Sequence, residues 1–363
     1  MESSPLPERS REAAQSADRG RGSVPHGLRL SVLDQSPISA GGTPVQAITQ
    51  TLELARAAER LGYTRYWVAE HHSSGGLAGT APEVLIARLA AETREMRIGS
   101  GGVMLSHYAP LKVAETFRVL EALYPGRIDL GIGRAPGSDQ RTARALQHGP
   151  GALGIEHFPN QIADLAAFID DALPEGHPFA GVHAMPAGPS APEFWLLGSS
   201  DQSAAYAAWF GAAFSYAHFI NDAGGPEVMA AYRDHFRPSP RLAAPQGSVG
   251  VFVICAETEA AAQRLASSRD LWRLRLDQGV LGPIPTVEEA LAYPYSEPER
   301  ARVAFHRRRQ VVGDPDQVKE SLVVLAARYG VEELVIVSIC HDFAARLRGY
   351  ELIAEAFALP RRG

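Results

Sequence analysis

Apolar positions along the chain switch between a period of two and a period near 3.6 from residue 28 onward. Leu28 to Leu33 predicts a strand. Thr43-Pro44 then offers an N-cap residue with proline at the first helical position. Val45, Ile48, Leu52, Ala55 and Ala58 follow at helical spacing up to Gly62, the expected stop. The unit repeats. Further strands are predicted at 66–69, 96–105, 127–133, 194–197, 213–217, 249–255 and 333–339. Helices are predicted from the Thr80-Ala81-Pro82-Glu83 capping box and over 110–123, 157–172, 200–210, 226–236, 258–273, 314–330 and 342–357. Strands alternating with helices imply a parallel sheet, and eight such units suggest an α/β chain closed into a (β/α)8 TIM barrel.

Two connections are too long for plain loops. Ala135–Glu156, after the fourth strand, is rich in Gly and Pro. Leu274–Val312, after the seventh, carries Pro283, Pro285, Pro294, Pro298 and the run Arg307-Arg308-Arg309. Both are candidate lids or substrate loops; the Arg run on its own reads as a solvated helix face. Residues 1–26 hold almost no large apolar side chain and read as a flexible tail, leaving 27–361 for the barrel.

Composition narrows the function classes. Of 363 residues, 45 % are hydrophobic and 21 % charged, a globular mix, and 35 Lys plus Arg against 41 Asp plus Glu give −6. That balance argues against a nucleic-acid partner. No apolar run reaches membrane-spanning length, so no membrane partner is expected. Cys255 and Cys340 both fall in apolar runs and read as buried small hydrophobes, too few for a disulfide framework, so a cytoplasmic location is expected.

In a barrel of this kind the chemistry lies at the carboxyl ends of the strands. Those ends collect Asp34-Gln35, Glu70-His71-His72, Ser100-Gly101-Gly102, Gly133-Arg134, Gly198-Ser199-Ser200 and His218. Adjacent histidines on extended backbone point apart, which disfavours a metal-chelating pair, and no metal is expected. A neutral imidazole beside a carboxylate suits proton transfer, so His71 leads and Glu70 and His72 flank it; the structural alternative is a hydrogen-bonded core pair. Gly101-Gly102 marks either a barrel bend or a close approach by a ligand. Arg134 and the helix opening at Ser199-Ser200 together suit a phosphate, although Ser199-x-x-Gln202 also fits a capping box.

These segments, in this order, resemble the luciferase-like monooxygenase family, in its alkanal-monooxygenase-like branch. The resemblance rests on Ser31–Pro37, Tyr66-Trp67-Val68-Ala69-Glu70-His71-His72, Ile98–Leu105, Pro125–Arg134 and Trp195–Ser200. It implies FMN bound at the barrel mouth. His71 takes the place of the catalytic histidine, and Gly101-Gly102 that of a non-prolyl cis peptide against the flavin ring. Arg134, Ser199 and Ser200 match phosphate-binding positions, with Ser100 and Asp34 counted among the cofactor residues. A reactive luciferase cysteine is replaced by Gly133, and a luciferase glutamate by Gly198, so light emission is not implied.

The reaction implied is oxidation of a small organic substrate, aldehyde-like or a natural-product intermediate, by O2 through a flavin hydroperoxide. The chain lacks a dinucleotide fingerprint, since Gly131-Ile132-Gly133-Arg134-Ala135-Pro136 has no third glycine, which points to reduced FMN supplied by a separate flavin reductase. A homodimer is implied by the resemblance. Competing readings are an F420-dependent oxidoreductase, a non-catalytic flavin-binding protein and a metal-dependent hydrolase built on Glu70, His71 and His72.

Overall fold

The computed structural model describes residues 27–135, 137–147 and 154–363. The reading of 1–26 as a flexible tail lies outside them, as do parts of the 135–156 connection. The chain runs β1 (Arg29–Asp34), α1 (Pro44–Leu61), β2 (Arg65–Val68), α2 (Pro82–Glu92), β3 (Arg97–Ser100) and β4 (Val103–Met104). It continues with α3 (Pro110–Leu123), β5 (Ile128–Gly133), α4 (Gln140–Leu146), α5 (Phe158–Asp170), β6 (Glu193–Gly198), α6 (Asp201–Trp209), β7 (Ala213–Ala217) and α7 (Gly225–Asp234). The last part holds β8 (Gly247–Cys255), α8 (Glu259–Asp277), α9 (Val287–Ala292), α10 (Glu297–Arg307), β9 (Gln310–Gly313), α11 (Pro315–Tyr329), β10 (Glu333–Val337) and α12 (Phe343–Ala356).

Every strand pairing within the sheet is parallel, and β10 pairs with both β8 and β1, which closes an eight-staved barrel. The predicted third strand is one stave in two pieces: β3 pairs with β2 and β5, and β4 resumes the pairing with β5 after Gly101-Gly102, whose peptide bond is cis. β9 is an addition outside the stave count, lying beside the end of β8.

Alternation decides which side chains fill the barrel. Val32, Tyr66 and Ile98 pack outward under the helices, whereas Leu33, Trp67, Trp195 and Val335 fill the interior. Trp67 and Trp195 meet edge to face, 5.1 Å between ring centroids. Beneath them Arg65 reaches Asp129 at 2.8 Å, Glu193 at 2.7 Å and Glu333 at 2.9 Å, and Trp67 Nε1 donates to Asp129 at 2.8 Å. This buried ionic floor closes the amino-terminal end, so the opening lies at the other.

Local signals set several boundaries. Thr43 caps α1 in a full capping box with Gln46, and Gly62 ends the helix in the left-handed region, φ 90°. A Cβ there would lie 2.3 Å from Pro360 O, so glycine also lets the carboxyl-terminal segment pack down. Two predicted caps are corrected. α2 opens from Ala81 without a side-chain cap, so Thr80 does not form the expected box. At α6 the cap is Ser200 rather than Ser199, with Ser200 Oγ accepting from Ser203 N.

The long connections are not bare loops. The first contains α4, and the second contains the end of α8, α9, α10 and β9. The second is tied to the rim of the mouth by backbone hydrogen bonds, Ala40 N to Ile284 O at 2.8 Å and Ile284 N to Ile38 O at 2.7 Å. The Arg run is only partly a solvated face: Arg308 is exposed, but Arg307 grips Asp270, and Arg309 bonds to Ile220 O and His306. Both cysteines are buried and free. Among the described residues no helix is long and apolar enough to cross a membrane.

Candidate active site

After β2 the chain runs extended across the mouth, held by His71 N donating to Gly79 O at 2.8 Å and His72 N to Gly137 O at 3.2 Å. Alternation then sends the three consecutive side chains different ways. Glu70 is fully buried, and its carboxylate accepts from Met104 N at 2.8 Å and Tyr108 OH at 2.6 Å. His72 Nε2 lies 2.7 Å from the same carboxylate. Glu70 and His72 therefore lock the end of β2 to the segment just beyond Gly102.

His71 turns the other way, into a cavity of about 390 Å³. Its Nδ1 is enclosed and has no hydrogen-bond partner. Burial, helped by the neighbouring His72, pulls its pKa down to about 4, so the imidazole is neutral near pH 7. Gln35, Leu77, Phe219, Phe252, Trp272, Arg269 and Arg309 share the cavity wall. Tyr108 serves Glu70, and His218 Nδ1 turns to Tyr329 OH at 2.8 Å.

The expected phosphate residues come together on neighbouring staves. Arg134, just past β5, bonds to the side chain of Gln202 in the first turn of α6, and Gln202 Nε2 donates to Tyr206 OH at 2.8 Å. Ser199 and Ser200 lead into the same helix, whose dipole favours an anion, although Gln202 N donates to Asp201 Oδ1 at 2.8 Å and Ser203 N to Ser200 Oγ at 3.3 Å. Arg134, Ser199 and Ser200 are all partly exposed.

Ser100 and Asp34 sit differently from the rest of the expected cofactor set. Ser100 Oγ donates to Gly131 O at 2.8 Å and accepts from Gly131 N at 3.0 Å, bracing two staves. Asp34 is fully buried among Arg346 at 2.7 Å, Tyr66 OH at 2.8 Å and Ser36 N at 2.9 Å. Burial alone would raise its pKa, but the Arg346 guanidinium and these hydrogen bonds hold it below the usual range. The paired glycines have a packing reason of their own. A Cβ on Gly101 would lie 2.6 Å from Leu33 Cδ1, and one on Gly102 would lie 2.7 Å from both Gly131 O and Leu197 Cδ1.

Sequence reasoning missed Arg269, Arg273 and His306 on the cavity wall. They come from α8 and α10, elements behind the mouth, where a search of strand ends does not look. Among the described residues no group of three or more His, Cys, Asp or Glu is placed to hold a metal ion, because His72 and Glu70 face each other while His71 faces the cavity.

The profile of a family described as luciferase-like monooxygenase matches residues 11–333. A protein of Escherichia coli K12 named luciferase-like monooxygenase is 39 % identical over 327 residues, covering 90 % of this chain and 96 % of the relative. The N-acetyl-S-alkylcysteine monooxygenase of Bacillus subtilis is 37 % identical over 340 residues, covering 92 % of this chain and all of that one. Among solved structures, apo-MsnO8 superposes with a TM-score of 0.85 at 43 % identity, over 92 % of this chain and 100 % of the other. On this match, over most of its length and with its closed parallel barrel, the chain belongs to the luciferase-like monooxygenase family.

Proposed function

We propose that this protein is an FMN-dependent monooxygenase that oxidises a small organic substrate with O2, the reduced flavin arriving from a separate reductase. The observation that carries the reading is His71: a neutral imidazole, its Nδ1 enclosed and unpartnered, on the wall of a cavity at the carboxyl end of the barrel. An orphaned buried nitrogen in a family of oxygenases fits a site built to meet another molecule. Arg134 beside the start of α6, with Ser199 and Ser200, fits the phosphate tail of FMN.

Bound reduced FMN would supply the electrons that activate O2. The chain's own residues do the rest. Arg134, with the Ser199 and Ser200 hydroxyls at the start of α6, holds the anionic tail. Glu70, through Met104 N, Tyr108 and His72, fixes the backbone on which His71 stands. His71 holds or takes a proton at Nδ1 without first being desolvated, because it already lies out of bulk water. The insertion pinned through Ile284 narrows the mouth and keeps water from the reacting groups.

The test is anaerobic titration with reduced FMN, followed by air and a panel of aldehydes and thioethers. Oxygen-dependent product is expected, and His71→Ala is expected to keep flavin binding while slowing product formation at least tenfold. Tight F420 binding with oxygen-independent turnover, or flavin binding with no turnover on any substrate, overturns the reading.

A further inference from the structure

The wall of the His71 cavity, which Arg134 does not line, carries a cationic shelf. Arg269, on α8, is only 4 % exposed, and its guanidinium lies 3.6 Å from the centroid of the Phe252 ring. Its Nε and Nη1 are enclosed with no hydrogen-bond partner. The acidic residue beside it is already engaged, since both Asp270 oxygens accept from Arg307 Nε at 2.9 and 2.7 Å. Arg309 donates to Ile220 O and to His306 Nδ1, leaving its own Nε buried and unpartnered. Arg273 also reaches this wall, and no carboxylate is among the lining residues. Enclosed guanidinium donors without an acceptor are costly to maintain, so the site is incomplete as it stands.

We propose that Arg269, with Arg309 beside it, receives the carboxylate of the substrate whose apolar body lies against Leu77, Phe219, Trp272 and Leu276, with its reacting end toward His71. Burial and the neighbouring cations Arg273, Arg307 and Arg309 pull the Arg269 pKa down to about 9, with Asp270 opposing, so an incoming anion relieves both the repulsion and the missing hydrogen bonds. The shelf is distinct from the phosphate position. It is walled by residues after β1, β2 and β7, by Phe252 of β8, and by α8, α10 and the turn after α10, whereas Arg134 and Ser199 follow β5 and β6. A cavity near 390 Å³ suits a small amphiphile rather than a polymer. Calling the anion a substrate rests on the monooxygenase reading; the anion subsite itself rests on the geometry alone.

Calorimetric titration of the flavin-free protein separates the two. Hexanoate and phenylacetate are compared with hexanamide and phenylacetamide, and FMN affinity is measured in parallel. The carboxylates are expected to bind at least tenfold more tightly than the amides. Arg269→Gln is expected to abolish that ratio and leave FMN affinity within twofold. Equal binding of acids and amides, or no binding of either, overturns the proposal. So does a loss of FMN affinity in Arg269→Gln, which would assign the shelf to the cofactor's phosphate. Should Arg269→Gln fail to fold by circular dichroism, Arg309→Gln is the second variant and must reduce the acid-to-amide ratio at least threefold. Because no step needs turnover, failed oxygenation leaves this result standing, and failed carboxylate binding leaves the oxygenase test untouched.

Discussion

Glu70 and His72 face one another at 2.7 Å between carboxylate oxygen and Nε2, so the acidic member of the mouth triplet serves the second histidine and not the first. Glu70 also accepts from Met104 N and Tyr108 OH. Glu70→Gln replaces one acceptor oxygen with an NH2 group that must face a donor. Hydrogen bonds to a charged group contribute about 1.5–3 kcal/mol, so a loss of about 2–3 kcal/mol is expected in urea unfolding. Tyr108→Phe, which removes a single donor, is expected to cost about 1 kcal/mol.

His71 gives the protein an acid sensitivity of known sign. Its pKa is about 4 in the folded protein against an ordinary value of 6.5, so the unfolded chain binds a proton that the folded one refuses. Stability tied to this group is full above pH 6.5, falls as the pH drops toward 4, and levels off below. The slope in that window reaches about 1.4 kcal/mol per pH unit. His71→Asn is expected to flatten this part of the stability curve relative to the wild type while leaving values above pH 7 little changed. Urea midpoints of both proteins from pH 4 to 8 read the difference.

Asp34 tests a residue that sequence placed in the cofactor site. Its carboxylate holds the buried Arg346 guanidinium, which also donates to Ser338 O at 2.7 Å. Removing one partner of a buried ion pair costs roughly 3–5 kcal/mol, and replacing both by apolar groups costs less. Asp34→Asn is therefore expected to lose several kcal/mol, with part recovered in Asp34→Leu/Arg346→Met. FMN affinity of the folded Asp34→Asn protein is expected to stay within twofold of the wild type.

The case of Asp34 shows what the chain's pattern carries and what it does not. Alternation placed the eight staves, and cap, proline and glycine signals, Thr43-Pro44 with Gly62 and Asp314-Pro315 with Gly330, placed α1 and α11, because these depend on neighbours in sequence. Alternation also separated His71 from Glu70 and His72. Whether a mouth residue faces the cavity or the wall depends on a partner far away along the chain: Arg346 for Asp34 and Gly131 for Ser100. The Arg run read as a solvated face for the same reason, since Asp270 lies 37 residues from Arg307. Arg269 escaped notice because it stands in the middle of a helix, and only the fold brings that helix to the cavity wall.

The paired glycines separate wall packing from ligand contact. A Cβ on Gly102 would meet Gly131 O at 2.7 Å, and that carbonyl cannot move freely because it accepts from Ser100 Oγ. A Cβ on Gly101 meets Leu33 Cδ1 at 2.6 Å, the far end of a side chain that can turn aside, although Trp67 Cβ at 3.0 Å limits the room. Overpacking a tight interior costs typically about 1–3 kcal/mol. Gly102→Ala is expected near the upper end and Gly101→Ala near the lower, both measured on flavin-free protein by chemical denaturation. That order in the absence of flavin means the barrel's own packing demands the glycines, Gly102 against β5 and Gly101 against Leu33 and Trp67. Equal stability of both variants and the wild type, with FMN affinity lost, would instead make the ligand the reason for them.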